Sequence, residues 1–236
     1  MRPHPPAAGL SRAAFGKARL FFGSLDDPAL ADWTSLAPLP RDLDERPRSA
    51  APARFLERRA VARHLVADAL GVAAEAVAIG HDARGAPLLL HPGAASLHIS
   101  LAARAAAFAV ALSPDPAGID IEPAVFDPRD IPWNVLHKEE QAMLHRLPAA
   151  SLAQAFLRLW TAKEAVLKML GAGLLRAPDQ ICITPERDGT FAIDSPDIDF
   201  AGARGAGGSA GIAGRPFVWS AVSLAQRSRR SAEDVA

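Results

Sequence analysis

The sequence predicts an α+β fold made of two similar halves, each a long helix on a small antiparallel sheet. A helical stripe runs through Arg54–Leu70, and a longer one through Leu152–Leu170. Short extended segments flank both helices, which favours separate strands and helices over an alternating parallel sheet. The chain has 236 residues, half of them hydrophobic, enough core for one large domain or two small ones. No internal sequence repeat ties the halves together.

The elements follow in order. Residues 1–16 read as a flexible leader, and 17–117 as the first half. A strand is expected around Ala18–Phe22, then a Pro- and Asp-rich connection through Pro52. In Arg54–Leu70 the stripe is Phe55, Val61, Leu65, Val66 and Leu70, with Gly71 as the stop. Val77–Ile79 and Pro87–Leu90 are short strands about a turn at Asp82–Gly85. Leu97–Ile99 opens another extended piece. Ala105–Leu112 reads as a buried strand, although its alanines suit a helix equally.

The second half spans 118–226. Ile119–Glu122 is a strand with period two, and its apolar neighbours Phe108–Leu112 argue that it is central. Leu136–Leu147 is helical, and Leu152–Leu170 ends at Gly171. Strands are expected at Gln180–Thr184, Thr190–Ile193 and Phe217–Leu224, with the glycines from Gly202 to Gly214 as a flexible loop. Residues 227–236 read as a disordered tail.

Composition excludes several classes of function. Lys+Arg and Asp+Glu both number 26, so no global field draws in nucleic acid or an anionic membrane. An anionic ligand must be held by a local cluster. One cysteine, Cys182, leaves no internal disulfide and no Cys-based zinc site. No apolar run is long enough to span a membrane, and Met1–Pro6 lacks the apolar core of a signal peptide, so the expected compartment is the cytoplasm. The histidines show no metal-ligand spacing, and Gly205–Gly208 lacks the lysine of a P-loop.

Two motifs carry chemistry. In Gly118-Ile119-Asp120-Ile121-Glu122 the strand period puts Asp120 and Glu122 on one face and the isoleucines on the other. About forty residues later comes Trp160-Thr161-Ala162-Lys163-Glu164-Ala165-Val166-Leu167-Lys168, where Glu164 and Lys168 lie one helical turn apart. Each motif alone has a plainer reading, a solvated strand face or a charge-paired helix surface. Together, three carboxylates and an ammonium suit Mg²⁺ holding a polyphosphate, because that ion takes hard oxygen ligands and lysine pairs with phosphate. The chain's lysines are Lys17, Lys138, Lys163 and Lys168, so half of them sit in the second motif.

These paired segments resemble the signature of the 4′-phosphopantetheinyl transferases, and the length and layout resemble the larger, monomeric class that acts on carrier proteins. The resemblance covers roughly residues 50–225. It implies halves related by a pseudo-twofold axis with coenzyme A in the cleft between them. It also implies transfer of the phosphopantetheine arm of coenzyme A to a serine of an apo acyl or peptidyl carrier protein, with release of 3′,5′-adenosine bisphosphate. Asp120, Glu122 and Glu164 would bind Mg²⁺, and Lys168 would pair with the pyrophosphate. Lys163 would hold either a carboxylate of the cluster or a phosphate. Arg54, Arg58 or Arg59, on a helix similar to the family's basic helix, would take the 3′-phosphate. Arg84-Gly85-Ala86-Pro87 resembles the family's Gly-Lys-Pro turn, with alanine in the lysine place, so Gly85 and Pro87 would line the coenzyme A site. Glu140 would be the general base; its plainer reading is a solvent-facing helix residue.

Leu97-His98-Ile99-Ser100-Leu101 departs from the family's Ser-His. Ser100 can still donate to a phosphate oxygen, but Leu101 cannot replace the histidine, and His98 lies on the opposite face of the strand. Arg104 is the nearby positive charge. A lost phosphate contact costs about 1–3 kcal/mol, one or two powers of ten in affinity. Two other readings remain open on sequence: a non-catalytic relative that binds coenzyme A or a carrier protein, and a different Mg²⁺-dependent transferase using another nucleotide-linked donor.

Overall fold

A computed structural model describes residues 9–48, 52, 54–171 and 176–224. The expected tail and the first eight residues of the expected leader lie outside them. The first half opens with β1 (Ser11–Phe15) and β2 (Ala18–Ser24), followed by the short helices α1 (Ala31–Thr34) and α2 (Pro40–Glu45). The long helix α3 (Phe55–Leu70) stops at Gly71, which adopts the left-handed conformation that glycine tolerates. A separate hairpin of β3 (Ile79–His81) and β4 (Pro87–Leu89) precedes β5 (His98–Arg104) and β6 (Ala107–Ser113). The second half contains β7 (Ala117–Pro123), α4 (Lys138–Leu144), the long helix α5 (Ala149–Met169), β8 (Cys182–Pro185), β9 (Thr190–Asp194), β10 (Ala203–Ile212) and β11 (Arg215–Leu224).

All strand pairs are antiparallel, in sheets of order β1-β2-β6-β5 and β7-β11-β10-β9-β8. The halves share a connectivity. An opening strand (β2 or β7) leads to the long helix, the last strand (β6 or β11) pairs back with the opener, and the strand before it (β5 or β10) takes the far side.

Alternation along the strands sorts side chains into layers. Phe21, Phe108, Val110 and Leu112 face α3 and pack on Val61, Leu65 and Val66. The other face of the same sheet is built from Leu20, Phe22, Ala109 and Ala111, which meet Ile119, Ile121, Phe217 and Ala221 of the second sheet. Val218 and Val222 turn the opposite way, onto Phe156, Leu159 and Val166 of α5. The order across the molecule is therefore helix, sheet, sheet, helix. Each fully buried isoleucine or leucine contributes roughly 1.5–3 kcal/mol to holding these layers together. Among the described residues no helix is long and apolar enough to cross a membrane.

Three expectations need correction. The leader is shorter than residues 1–16, because Ser11–Phe15 pair with β2. The glycines from Gly202 to Gly214 are not a loop; most of them lie in β10, paired along its length with β11. At two of them a neighbouring ring covers the strand. A Cβ on Gly205 would lie 2.1 Å from the Phe191 ring, and one on Gly208 3.1 Å from Trp219. The β7 strand is the terminal strand of its sheet rather than a central one. It is nonetheless buried, since β5, the terminal strand of the other sheet, lies beside it: Ile119 N–H donates to Ser100 Oγ at 3.1 Å.

Candidate active site

The site begins with a glycine. A Cβ on Gly118 would lie 1.8 Å from the carbonyl oxygen of Ala165 and 2.7 Å from Met169 N, so α5 rests directly on the backbone of β7. The helix is also pinned to β11, where the buried hydroxyls of Thr161 and Ser220 are 2.8 Å apart. This close approach brings the second motif onto the first. Lys168 Nζ donates to Asp120 Oδ1 at 2.7 Å and to the carbonyl of Ile119 at 3.2 Å.

Asp120 is 0% exposed, and its Oδ2 is buried without a hydrogen-bond partner. Burial raises the Asp120 pKa, outweighing the opposing charges of Lys168 and Arg104. Glu164 is also raised, first by burial and then by the negative charge of Asp120, with Glu122 adding to the effect. Asp120 and Glu122 therefore act on Glu164, and the positive charges of Lys168 and Arg104 do not fully offset the cost of burying the ionised forms.

Glu122 is engaged differently. The guanidinium of Arg104 grips it as a fork, Nε to Oε2 at 2.7 Å and Nη2 to Oε1, and the indole Nε1 of Trp160 donates to Oε1 at 3.2 Å. With Glu122 so held, no three His, Cys, Asp or Glu side chains among the described residues converge into a ready metal cage. The donor chemistry still fits a hard divalent cation. Asp120 Oδ2 is an orphaned buried acceptor, and two neighbouring carboxylates share a region that disfavours their charge. A cavity of about 310 Å³ elsewhere, between β2 and β10, has Asp27 as its charged lining residue and no basic group for a phosphate, so it is not the site.

Comparison with known proteins agrees with this geometry. Residues 116–207, from the start of β7 into β10, match the sequence model of the 4′-phosphopantetheinyl transferase superfamily. The chain is also similar to a 4′-phosphopantetheinyl transferase of Bacillus subtilis, 26% identical over 151 residues that cover 61% of this chain and 67% of that protein.

Within the matched segment, two expected site residues take other places. Lys163 is wholly buried on the core side of α5. It donates to the carbonyls of Pro178, at 2.8 Å, and Ile181, and pairs with Glu140 at 2.9 Å. Burial lowers its pKa against the pull of Glu140. Glu140 is buried as well, and its other contacts are the N–H groups of Ile183 and His137, each at 2.8 Å. A carboxylate with both oxygens so engaged ties α4 to α5 and β8; it is neither solvent-facing nor placed as a base beside Asp120. Lys163 correspondingly holds neither a phosphate nor a carboxylate of the Asp120 cluster.

The first half shows a similar division. Arg59 is buried, with Glu45 at 2.7 Å, Asp42 at 3.4 Å and the Phe55 ring beneath it. Its charge is spent inside the fold. Arg54, at the start of α3, pairs with Asp26 and Glu57 and donates to the Leu25 carbonyl at 3.1 Å. Arg58 is half-buried, and burial lowers its pKa. Gly85 has a φ of 86° in the β3–β4 turn, where Asp82 Oδ1 accepts from Arg84 and Ala86, and Pro87 opens β4. This turn approaches the signature helix: a Cβ on Gly171 would lie 3.4 Å from Ala86. Ser100 is buried with its hydroxyl on Ile119, and Leu101 packs into the core against α3.

Sequence reasoning passed over Gly118 as a contact point and Trp160 as a ligand of Glu122. The signal for Gly118 was a glycine inside a strand, a mark of close backbone approach.

Proposed function

We propose that the chain transfers the 4′-phosphopantetheine arm of coenzyme A to a serine hydroxyl of an apo acyl or peptidyl carrier protein, releasing 3′,5′-adenosine bisphosphate. The observation that carries this reading is Asp120, buried with one oxygen on Lys168 and the other orphaned, close enough to Glu164 that its charge raises the Glu164 pKa. The superfamily match and the relative's name support the reaction class. The shared connectivity of the halves supports a pseudo-twofold relation with the donor in the cleft between them. Because one chain supplies both sides of that cleft, a monomer suffices. The single cysteine suits a reducing cytoplasm.

Mg²⁺ would be held by Asp120, Glu164 and Glu122, and when bound it supplies positive charge to the pyrophosphate oxygens and the leaving phosphate. Lys168, one turn beyond Glu164, adds an ammonium for the same phosphates. The serine oxygen forms a bond to the phosphorus of the arm as the pyrophosphate P–O bond breaks, and the electron pair leaves with the adenosine bisphosphate. Glu164 takes the serine proton. It stands beside Asp120 in the cluster, whereas Glu140 is enclosed by Lys163 and the N–H groups of His137 and Ile183.

The test is incubation with coenzyme A, Mg²⁺ and purified apo-carrier proteins, read by mass spectrometry. One phosphopantetheine arm is gained with the native chain and none with Asp120→Ala, which stays folded by circular dichroism. Full transfer by Asp120→Ala, or no gain on any carrier with the native chain, contradicts the reading.

A further inference from the structure

Arg104 stands among carboxylates without being buried. Its fork holds Glu122, and Asp120 and Glu164 add to its electrostatic environment. Yet its side chain is 43% exposed against 13% for Glu122. It is the last residue of β5, before a two-residue turn in which Ala105 has a φ of 53°, so the side chain leaves from the tip of a hairpin. Strand parity puts it on the face of Ser100 and Ala102, toward β7, and opposite Leu101. Glu122 has a second donor in Trp160 and would stay in place if Arg104 left.

We propose that Arg104 is a displaceable counter-ion. It occupies Glu122 while the site lacks a divalent cation, yields that carboxylate when the cation binds, and then offers its guanidinium to a phosphate of the donor. This rests on the reading of Asp120, Glu122 and Glu164 as the cation site.

Charge decides the direction of the exchange. Without a cation, three carboxylates face the positive charges of Lys168 and Arg104, and the Arg104–Glu122 pair lowers the excess. A divalent cation on the same carboxylates, together with Lys168, neutralises the charge that faces the guanidinium and removes the attraction that holds it. Arg104 is the more exposed partner, so water can solvate the guanidinium as the pair opens. The doubly charged pyrophosphate and the 3′-phosphate are then the strongest acceptors at hand, and a guanidinium fork fits their oxygens. Leu101, packed into the core, supplies no charge of its own there.

The test uses the full chain without coenzyme A and Mn²⁺ as the probe, titrated by calorimetry or electron paramagnetic resonance. Arg104→Gln is expected to bind Mn²⁺ about three- to tenfold more tightly, because a competing cation is gone. With saturating Mg²⁺, the same variant should bind 3′,5′-adenosine bisphosphate about tenfold more weakly. A merely loosened fold would weaken both, so tighter Mn²⁺ binding separates the two cases. Unchanged or weaker Mn²⁺ binding in Arg104→Gln overturns the proposal, and unchanged nucleotide binding overturns its phosphate half. Asp120→Asn guards the underlying reading. If it loses Mn²⁺ while Arg104→Gln matches the native chain, only the counter-ion role falls. If Asp120→Asn binds Mn²⁺ as the native chain does, or no variant binds it, the cation site falls too.

Discussion

Gly118 and Ala165 are in contact through backbone alone: a Cβ on Gly118 would stand 1.8 Å from the Ala165 carbonyl oxygen. That contact sets the distance between β7 and α5, and hence between Asp120 and the residues at 164 and 168. Overpacking a core site costs about 1–3 kcal/mol, and Gly118→Ala belongs at the upper end because a helix backbone cannot step aside as a side chain can. Misplacing reacting groups by about 1 Å costs on the order of 10²-fold in rate. Gly118→Ala is therefore expected to lower both the denaturation midpoint and transfer activity. Gly211→Ala is the control; nothing lies within 4 Å of its Cβ, and its effect should stay within about 0.5 kcal/mol.

The raised pKa values of Asp120 and Glu164 give a pH signature to the metal-free protein. Below their ordinary values of 3.8 and 4.5 both groups are protonated in the folded and unfolded chain and do not affect stability. As pH rises past those values the unfolded chain releases its protons first, so the folded state loses relative stability until its own raised pKa values are passed. The double variant Asp120→Asn, Glu164→Gln escapes this loss. In melts with a chelator present, its stability advantage over the native chain should open as pH rises and then level off. Added Mg²⁺ should stabilise the native chain alone and close the gap. An advantage that shrinks with rising pH would contradict the assignment.

Ser100 accepts the N–H of Ile119 from inside the seam between the two sheets. Removing that acceptor leaves a buried backbone donor unpaired, at about 1–3 kcal/mol. Ser100→Ala should lower the midpoint of urea unfolding accordingly. Ser100→Thr keeps the hydroxyl and should restore part of the loss. If Ser100→Ala unfolds like the native chain, the hydroxyl does not hold the seam.

What the sequence made legible was periodic. The stripe from Phe55 to Leu70 and its stop at Gly71 became α3, and the alternation of Ile119, Asp120, Ile121 and Glu122 became a strand with its acids on one side. The charges of neighbouring helix residues were harder to assign. Lys163 and Glu164 are successive, about 100° apart around the helix, so one enters the core while the other reaches the cleft. Only Glu140, brought in by α4, shows why the core takes an ammonium. Likewise Arg59 looked available until α2 supplied Asp42 and Glu45 from a stretch that reads as a connection. Long-range partners, invisible to local pattern, decided each of these.

The Lys163–Glu140 pair offers the sharpest separation of framework from chemistry. Both side chains are essentially unexposed, and removing one partner of such a pair strands a buried charge at about 3–5 kcal/mol. Lys163→Met should therefore destabilise the chain strongly. Adding Glu140→Gln removes the stranded charge while keeping an acceptor for the N–H groups of His137 and Ile183, and should recover about 1 kcal/mol or more. The kinetic consequence runs opposite to that of a general base, whose loss costs on the order of 10²–10⁴-fold. Glu140→Gln alone, assayed well below its melting temperature, should retain kcat within about threefold, whereas Glu164→Gln should not. A collapse of kcat in folded Glu140→Gln would return the proton-transfer role to Glu140.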